Sequence, residues 1–121
     1  MDVTDPLGCS SAEEWRRWLE RHHDVDDGVW LVISKKHATT PGVGLVAATE
    51  EALCFGWIDS AMRPVDDETY VLRFTPRRAK SAWSEVNRAR AERLMAEGRM
   101  TEAGLARIVE AKRDGRWDRV P

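Results

Sequence analysis

Trp15, Trp18, Leu19 and His22 recur at helical spacing behind Ser10-Ser11-Ala12-Glu13-Glu14, a capping box that works with Ser10 and Glu13 or with Ser11 and Glu14. The pattern predicts a first helix to about His22, with His22 on the inward face, broken by Asp24-Val25-Asp26-Asp27-Gly28. At Val29 the period changes. Val29-Trp30-Leu31-Val32-Ile33-Ser34-Lys35-Lys36 is β-branched and aromatic with a nearly continuous apolar start, the composition of a strand. Lys35 shares parity with Leu31 and Ile33, so on a covered face it needs an anionic partner or a route to water. Thr39-Thr40-Pro41-Gly42-Val43-Gly44 reads as a connection.

Thr49 followed by Glu50 and Glu51 predicts the start of a short helix, with both acids in its positive first turn, running through Ala52-Leu53-Cys54-Phe55 toward Trp57. Ile58 to Arg63 and Tyr70 to Thr75 alternate as two strands around the turn Pro64-Val65-Asp66-Asp67-Glu68. The turn length allows two registers, with Asp59 opposite either Phe74 or Thr75; in both, Leu72 and Phe74 share one face and Arg73 and Thr75 the other. A third helix from about Ser84 to Glu97 carries Trp83, Val86, Ala91 and Leu94 as its apolar stripe, with Asn87 and Arg90 inside that stripe, and Gly98 ends it. Thr101 and Glu102 open a fourth, with Leu105, Ile108 and Val109 inward and Gly115 as its stop.

These elements predict an α+β fold: a small, mostly antiparallel sheet of about three strands packed with about four helices in two layers. A single domain over residues 11–117 is expected, between an N-terminal tail (1–10) and a C-terminal tail (118–121). The chain has 121 residues, enough for a core that needs no metal or disulfide. Cys9 and Cys54 are expected as free thiols, and the three histidines and two cysteines have no zinc-ligand spacing, so neither a metal nor a cofactor is expected. The acidic start Met1-Asp2-Val3-Thr4-Asp5 does not resemble a secretory signal and no apolar run reaches membrane-spanning length, which makes the cytoplasm the expected location.

Charge changes this picture at one point. Residues 1–60 carry 11 acids and 5 bases, residues 61–121 carry 10 acids and 14 bases, and seven of those bases fall between Arg73 and Arg93. There the chain leaves a strand at Pro76, gathers Arg77, Arg78 and Lys80, and restarts as a helix capped by Ser81 or Ser84. Helix N-termini attract anions, and an anionic partner follows from this crowding of cations. Lys35, Asp59, Arg73, Arg77, Lys80, Ser81, Ser84 and Asn87 are therefore the candidate ligand-binding residues, expected in one cleft between the sheet and the third helix. Arg77 would clamp a phosphate or carboxylate through its fork, Lys80 would add a point charge, and Asp59 is the one carboxylate placed to act as a base or to orient the arginines. The structural alternative makes Asp59 a salt-bridge partner of Arg73 or Arg77, Ser84 a helix cap, and Trp57 and Trp83 core.

Ala52-Leu53-Cys54-Phe55-Gly56-Trp57-Ile58-Asp59, Phe74-Thr75-Pro76-Arg77-Arg78, Lys80-Ser81-Ala82-Trp83-Ser84 with Asn87, and Gly98-Arg99-Met100 with Ala103-Gly104 together resemble the YdeI/OmpD-associated, or bacteriocin-protection, family. The resemblance spans roughly residues 11–117. It departs at Leu45-Val46-Ala47-Ala48, where the family pattern has an aromatic, and at Ser60, where it has glycine. What it implies is a small bacterial protein linked to tolerance of bacteriocins and antimicrobial peptides, with no enzymatic activity attached; the charge cluster, separately, makes an anionic small molecule or envelope component the expected ligand. Two other classes stay open. An enzyme acting on a phosphorylated or acyl substrate would use Asp59 as base, but lacks a nucleophile–histidine pair. Nucleic-acid binding would use the basic helix with tryptophan stacking, against which stand a net charge of −2 and the absence of a known module.

Overall fold

The computed structural model describes residues 3–118. Met1 and Asp2 of the expected N-terminal tail and residues 119–121 of the C-terminal one lie outside the described residues. Seven elements follow in the order α1 (Ala12–His22), β1 (Val29–Ser34), α2 (Leu45–Cys54), β2 (Trp57–Pro64), β3 (Thr69–Pro76), α3 (Glu85–Ala96) and α4 (Glu102–Arg113). The fold is the expected α+β domain, a three-stranded antiparallel sheet in the order β1-β3-β2 with four helices. Residues 1–10 were expected as a tail; within them Leu7 donates its amide to Trp30 O at 2.7 Å and accepts from Val32 N at 2.9 Å, adding a parallel bridge at the free edge of β1.

Local chemistry fixes the helix starts that have side-chain caps. The Ser11 hydroxyl accepts from Glu14 N, while the Glu14 carboxylate takes both the amide (2.9 Å) and the hydroxyl (2.6 Å) of Ser10, so the Ser11–Glu14 register sets the cap and Glu13 of the other register takes no part in it. Ser84 and Thr101 cap α3 and α4 by accepting from Asn87 N and Gly104 N.

α2 overturns the expected start at Thr49. It begins at Leu45 behind Gly44, whose extended backbone caps the helix without a side-chain bond. Glycine leaves no capping signal to read, and Thr49-Glu50-Glu51 imitates one in the helix interior. Glu50 and Glu51 are consequently not first-turn acids. Glu51, 8% exposed, holds Arg16 at 2.8 Å and Arg99 at 3.0 Å, and Glu50 pairs with Arg93 and Arg99.

α2 is also the hub, touching α1, β1, β2, α3 and α4. Around it the core gathers Trp15 and Leu19 of α1, Leu31 and Ile33 of β1, Trp57 of β2, Leu72 and Phe74 of β3, Leu94 of α3 and Ile108 of α4. Each fully buried side chain of this size contributes about 1.5–3 kcal/mol. His22 of the inward face is half-buried and stacks on Trp18 with ring centroids 4.4 Å apart.

Two predicted stripes need correction. In α3, Val86 is 60% exposed because the helix starts at Glu85 and its first turn lies clear of the core; Ala91 and Leu94 are the buried positions. In α4, Leu105 and Val109 are exposed while Gly104, Ile108 and Ala111 are buried. The reason is the closeness of α4 to the end of α2: a Cβ on Gly104 would stand 2.4 Å from Cys54 O, so only small residues fit that face. Apolarity predicts the wrong side where clearance decides.

Cys9 and Cys54 are free and buried. Burial pushes the Cys9 thiol from its ordinary 9.0 to about 11, assisted by the negative charge of Glu14, and burial raises Cys54 as well. Two outcomes are expected. At pH 8 the native protein should react with a thiol-selective disulfide reagent far more slowly than the protein in urea, where both thiols react. The fold prefers the protonated Cys9, so its contribution to stability is complete below pH 9.0 and is lost as pH rises through about 11, which urea titrations across that window will read.

Candidate functional site

β3 delivers the chain to the junction. Arg77 leaves the strand immediately after Pro76, and its amide donates to Gly56 O at 2.8 Å, which pins the backbone there. Its side chain folds inward to 4% exposure. The guanidinium lies over the Trp83 ring, 3.9 Å from the centroid, and Nη2 donates to Ala82 O at 2.9 Å. Nε and Nη1 have no acceptor among the described residues. Burial pushes this group down to about 10, Arg116 adds repulsion, and Asp59 opposes both. At neutral pH it remains a buried cation with two of its three guanidinium nitrogens unmet among the described residues.

The intervening turn shares that deficit. Ser81 Oγ and Trp83 Nε1 are buried and unpartnered as well, and Lys80 adopts a left-handed backbone with φ 67°, a conformation that strains any residue other than glycine. Lys80 itself is exposed. Four buried groups without partners thus fall within the seven residues from Arg77 to Trp83. Buried polar groups are normally paired, so such a concentration marks either an absent partner or stored strain.

Only part of the predicted constellation assembles. Asp59, Arg77 and Asn87 meet in a crevice with Thr49, Leu53 and Phe74 whose volume is about 10 Å³, at the lower limit for one water. The register places Asp59 opposite Phe74, with a bulge at Ser60 before Ala61 pairs with Arg73. Asn87 accepts from Arg90 Nη1 at 3.3 Å, and the Ser84 hydroxyl is committed to its cap. The open cleft expected between sheet and third helix is therefore a closed crevice.

Two predicted members lie elsewhere. Lys35 falls beyond the end of β1, where Nζ donates to Asp66 O at 2.9 Å beside the β2–β3 turn. The 8 residues of β3 separate that end from Arg77, roughly 25 Å at strand rise. Arg73 points to the opposite sheet face from Phe74 and lies over Trp30. Period-two alternation predicted that split, and it excludes Arg73 from any site on the helical face.

Arg116 is the residue that sequence reasoning missed. It reaches back from beyond α4 to donate Nη1 to Ser81 O at 2.7 Å, while Asp114 (2.8 Å) and Glu110 (3.4 Å) hold its charge. Beside it Trp117 packs edge-on to Trp83 with centroids 5.0 Å apart, and Arg88 donates to Trp117 O at 3.1 Å. The C-terminal segment therefore forms one wall of the junction. The buried tryptophan next to an arginine was the only sequence signal, and it does not say what the pair packs against.

A family model described as a domain of unknown function, DUF8412, matches residues 7–107. The chain belongs to that family. The match starts at Leu7, the residue that bridges to β1, and covers the whole junction, stopping within α4 short of Arg116. No curated protein and no solved structure matches the chain. Among the described residues there is no group of three potential metal ligands, and no helix is long and apolar enough to cross a membrane.

Proposed function

We propose that this protein binds a small oxyanion, a phosphate or carboxylate group, at the Arg77–Ser84 junction without transforming it. One observation carries the reading: Arg77 is 4% exposed and its Nε and Nη1 have no acceptor among the described residues. Planar guanidinium donors match a carboxylate or phosphate edge, and a buried cation that Asp59 favours from a distance but does not pair with is stabilised further when an anion contacts it. Because the crevice is closed, entry requires the turn at Arg78–Ala82 to move, and the strained Lys80 supplies part of the drive. The ligand is an anionic small molecule or an anionic envelope component. The strings around this junction that resemble the bacteriocin-protection family support a role for such binding in tolerance of antimicrobial peptides.

The test compares wild type with Arg77→Met in thermal-shift titrations against phosphate, sulfate, short carboxylates, sugar phosphates and nucleotides. A ligand at about 100 times its dissociation constant stabilises the folded state by about 2.7 kcal/mol, several degrees for a domain of this size. That shift should vanish in Arg77→Met. Without ligand the variant should melt at or above the wild-type temperature, since an apolar side chain replaces an unpaired buried charge. Failure of every anion to stabilise wild type, or an equal response in the variant, sinks the reading.

A further inference from the structure

Arg73, a member of the predicted site, faces the other side of the sheet from Phe74 and lies over Trp30. Its neighbours there are unusual. Trp30 is 1% exposed and its Nε1 has no acceptor; Arg73 Nε is likewise buried and unpartnered, and among the described residues no ion pair reaches the guanidinium. Gly28 is shaped to this arginine, because a Cβ there would lie 2.6 Å from Arg73 Nη2. The absence of a side chain at position 28 leaves room for the guanidinium beside Trp30, with its central carbon 5.9 Å from the ring centroid.

Arg73 and Trp30, the residues that carry these donors, line a cleft of about 460 Å³, within the range of small-molecule sites. Asp5 and Asp26 line the same cleft, as does Trp18. Neither carboxylate forms an ion pair or a side-chain hydrogen bond among the described residues, although a guanidinium lines the cleft with them. Two unpaired acids and an unpaired cation border one cavity without touching one another. The cleft thus brings a residue able to bind an anion and two able to bind a cation to one lining.

We propose that this cleft binds a zwitterion, a free α-amino acid whose carboxylate bonds to Arg73 and Trp30 Nε1 and whose ammonium lies against Asp5 and Asp26. The pairing follows from charge and donor count. A simple anion would satisfy Arg73 and Trp30 but would approach two bare carboxylates, whereas a simple cation would meet the guanidinium. An α-amino acid carries both charges within one small molecule. The site is independent of the Arg77 junction, which lies past the end of β3 on the helical side.

The test is a calorimetric or ligand-observed NMR screen of the full chain against the common α-amino acids, each beside its N-acetyl and carboxamide forms. One or more free amino acids should bind, and blocking either end should weaken binding by at least about tenfold, the scale of one charge-assisted contact. Arg73→Gln should abolish binding while leaving the phosphate response of Arg77 intact. Trp30→Phe, which removes a single donor, and Asp26→Asn, at an exposed position, keep the test decisive if Arg73→Gln unfolds; each should weaken the amino acid. Equal binding of the N-acetyl forms would reduce the cleft to a carboxylate site and overturn the zwitterion assignment. No binding of any amino acid at about 10 mM to folded protein, above the dissociation constants of even weak specific complexes, would overturn it as well.

Discussion

Trp15→Ala should leave the domain largely unfolded at 37 °C. Trp15 has no exposed surface, packs against Trp18 and Phe74 with ring centroids 5.5 and 5.4 Å away, and donates Nε1 to Ala48 O at 3.0 Å. It joins α1, α2 and β3 in one contact set. Removing a buried tryptophan costs about 3–5 kcal/mol, and the abandoned Ala48 carbonyl adds about 1 kcal/mol or more. Domains of this size have about 5–15 kcal/mol in total, so little would remain. In urea the midpoint should fall by about 2 M or more, given slopes of about 1–3 kcal/mol per M. Trp15→Phe separates the two contributions: it keeps most of the packing and loses the hydrogen bond, so it should fall between. A midpoint change under about 0.5 M for Trp15→Ala would show that the core does not depend on this contact set.

Glu51→Ala should be the most damaging change to a charged residue. Glu51 is the buried carboxylate that receives Arg16 from α1 and Arg99 from the α3–α4 connection, so it ties three helical segments to the hub helix. Arg16 also donates to Arg99 O at 3.0 Å and lies over Phe55, so the clamp is one network. Breaking a buried pair costs about 3–5 kcal/mol; here the arginine side chains are 28% and 34% exposed, which lets water recover part of it and brings the expectation to about 2–4 kcal/mol. A fall in melting temperature on the order of 10 °C should follow. A double-mutant cycle with Arg99→Met checks the cause: the coupling should be strong and should survive 0.5 M salt better than that of the exposed Arg93–Glu97 pair, since salt screens a partly buried pair much less than an exposed one. Zero coupling would mean that Glu51 acts only through packing.

The two changes differ in how well the sequence announces them. Trp15 sits on an apolar stripe at helical spacing, so its inward placement follows from geometry within one helix. Glu51 stands next to a threonine and another acid, which locally reads as a helix start. Its true role depends on residues 35 and 48 positions away, Arg16 and Arg99. No local pattern encodes a partner at that separation.

The candidate site divides in the same way. Arg77, with Asp59 and Asn87 nearby, was legible because strand parity and the Pro76 break put them at one end of the sheet. That the intended cleft is closed was not legible, since it depends on Trp83 lying flat on the guanidinium and on Arg116 and Trp117 returning from the C-terminal segment. Lys35 was placed by parity with Leu31 and Ile33, but β1 ends before it, so its parity carries no meaning.

By itself the sequence determined the class of fold, the Thr101 cap, the choice of α1 cap down to Ser10 or Ser11 and of α3 cap down to Ser81 or Ser84, the antiparallel hairpin, and the sheet faces of Leu72, Arg73 and Phe74. All of these rest on interactions within a few residues or on the fixed periods of helix and strand. Only the tertiary structure decided the start of α2 behind an uncapped glycine, the small-residue face of α4, the bulge at Ser60, the burial of Arg77 and the cleft around Arg73. Each depends on how closely distant segments approach, and closeness in space is set by the packing of the whole core and not by the local alternation of polar and apolar residues.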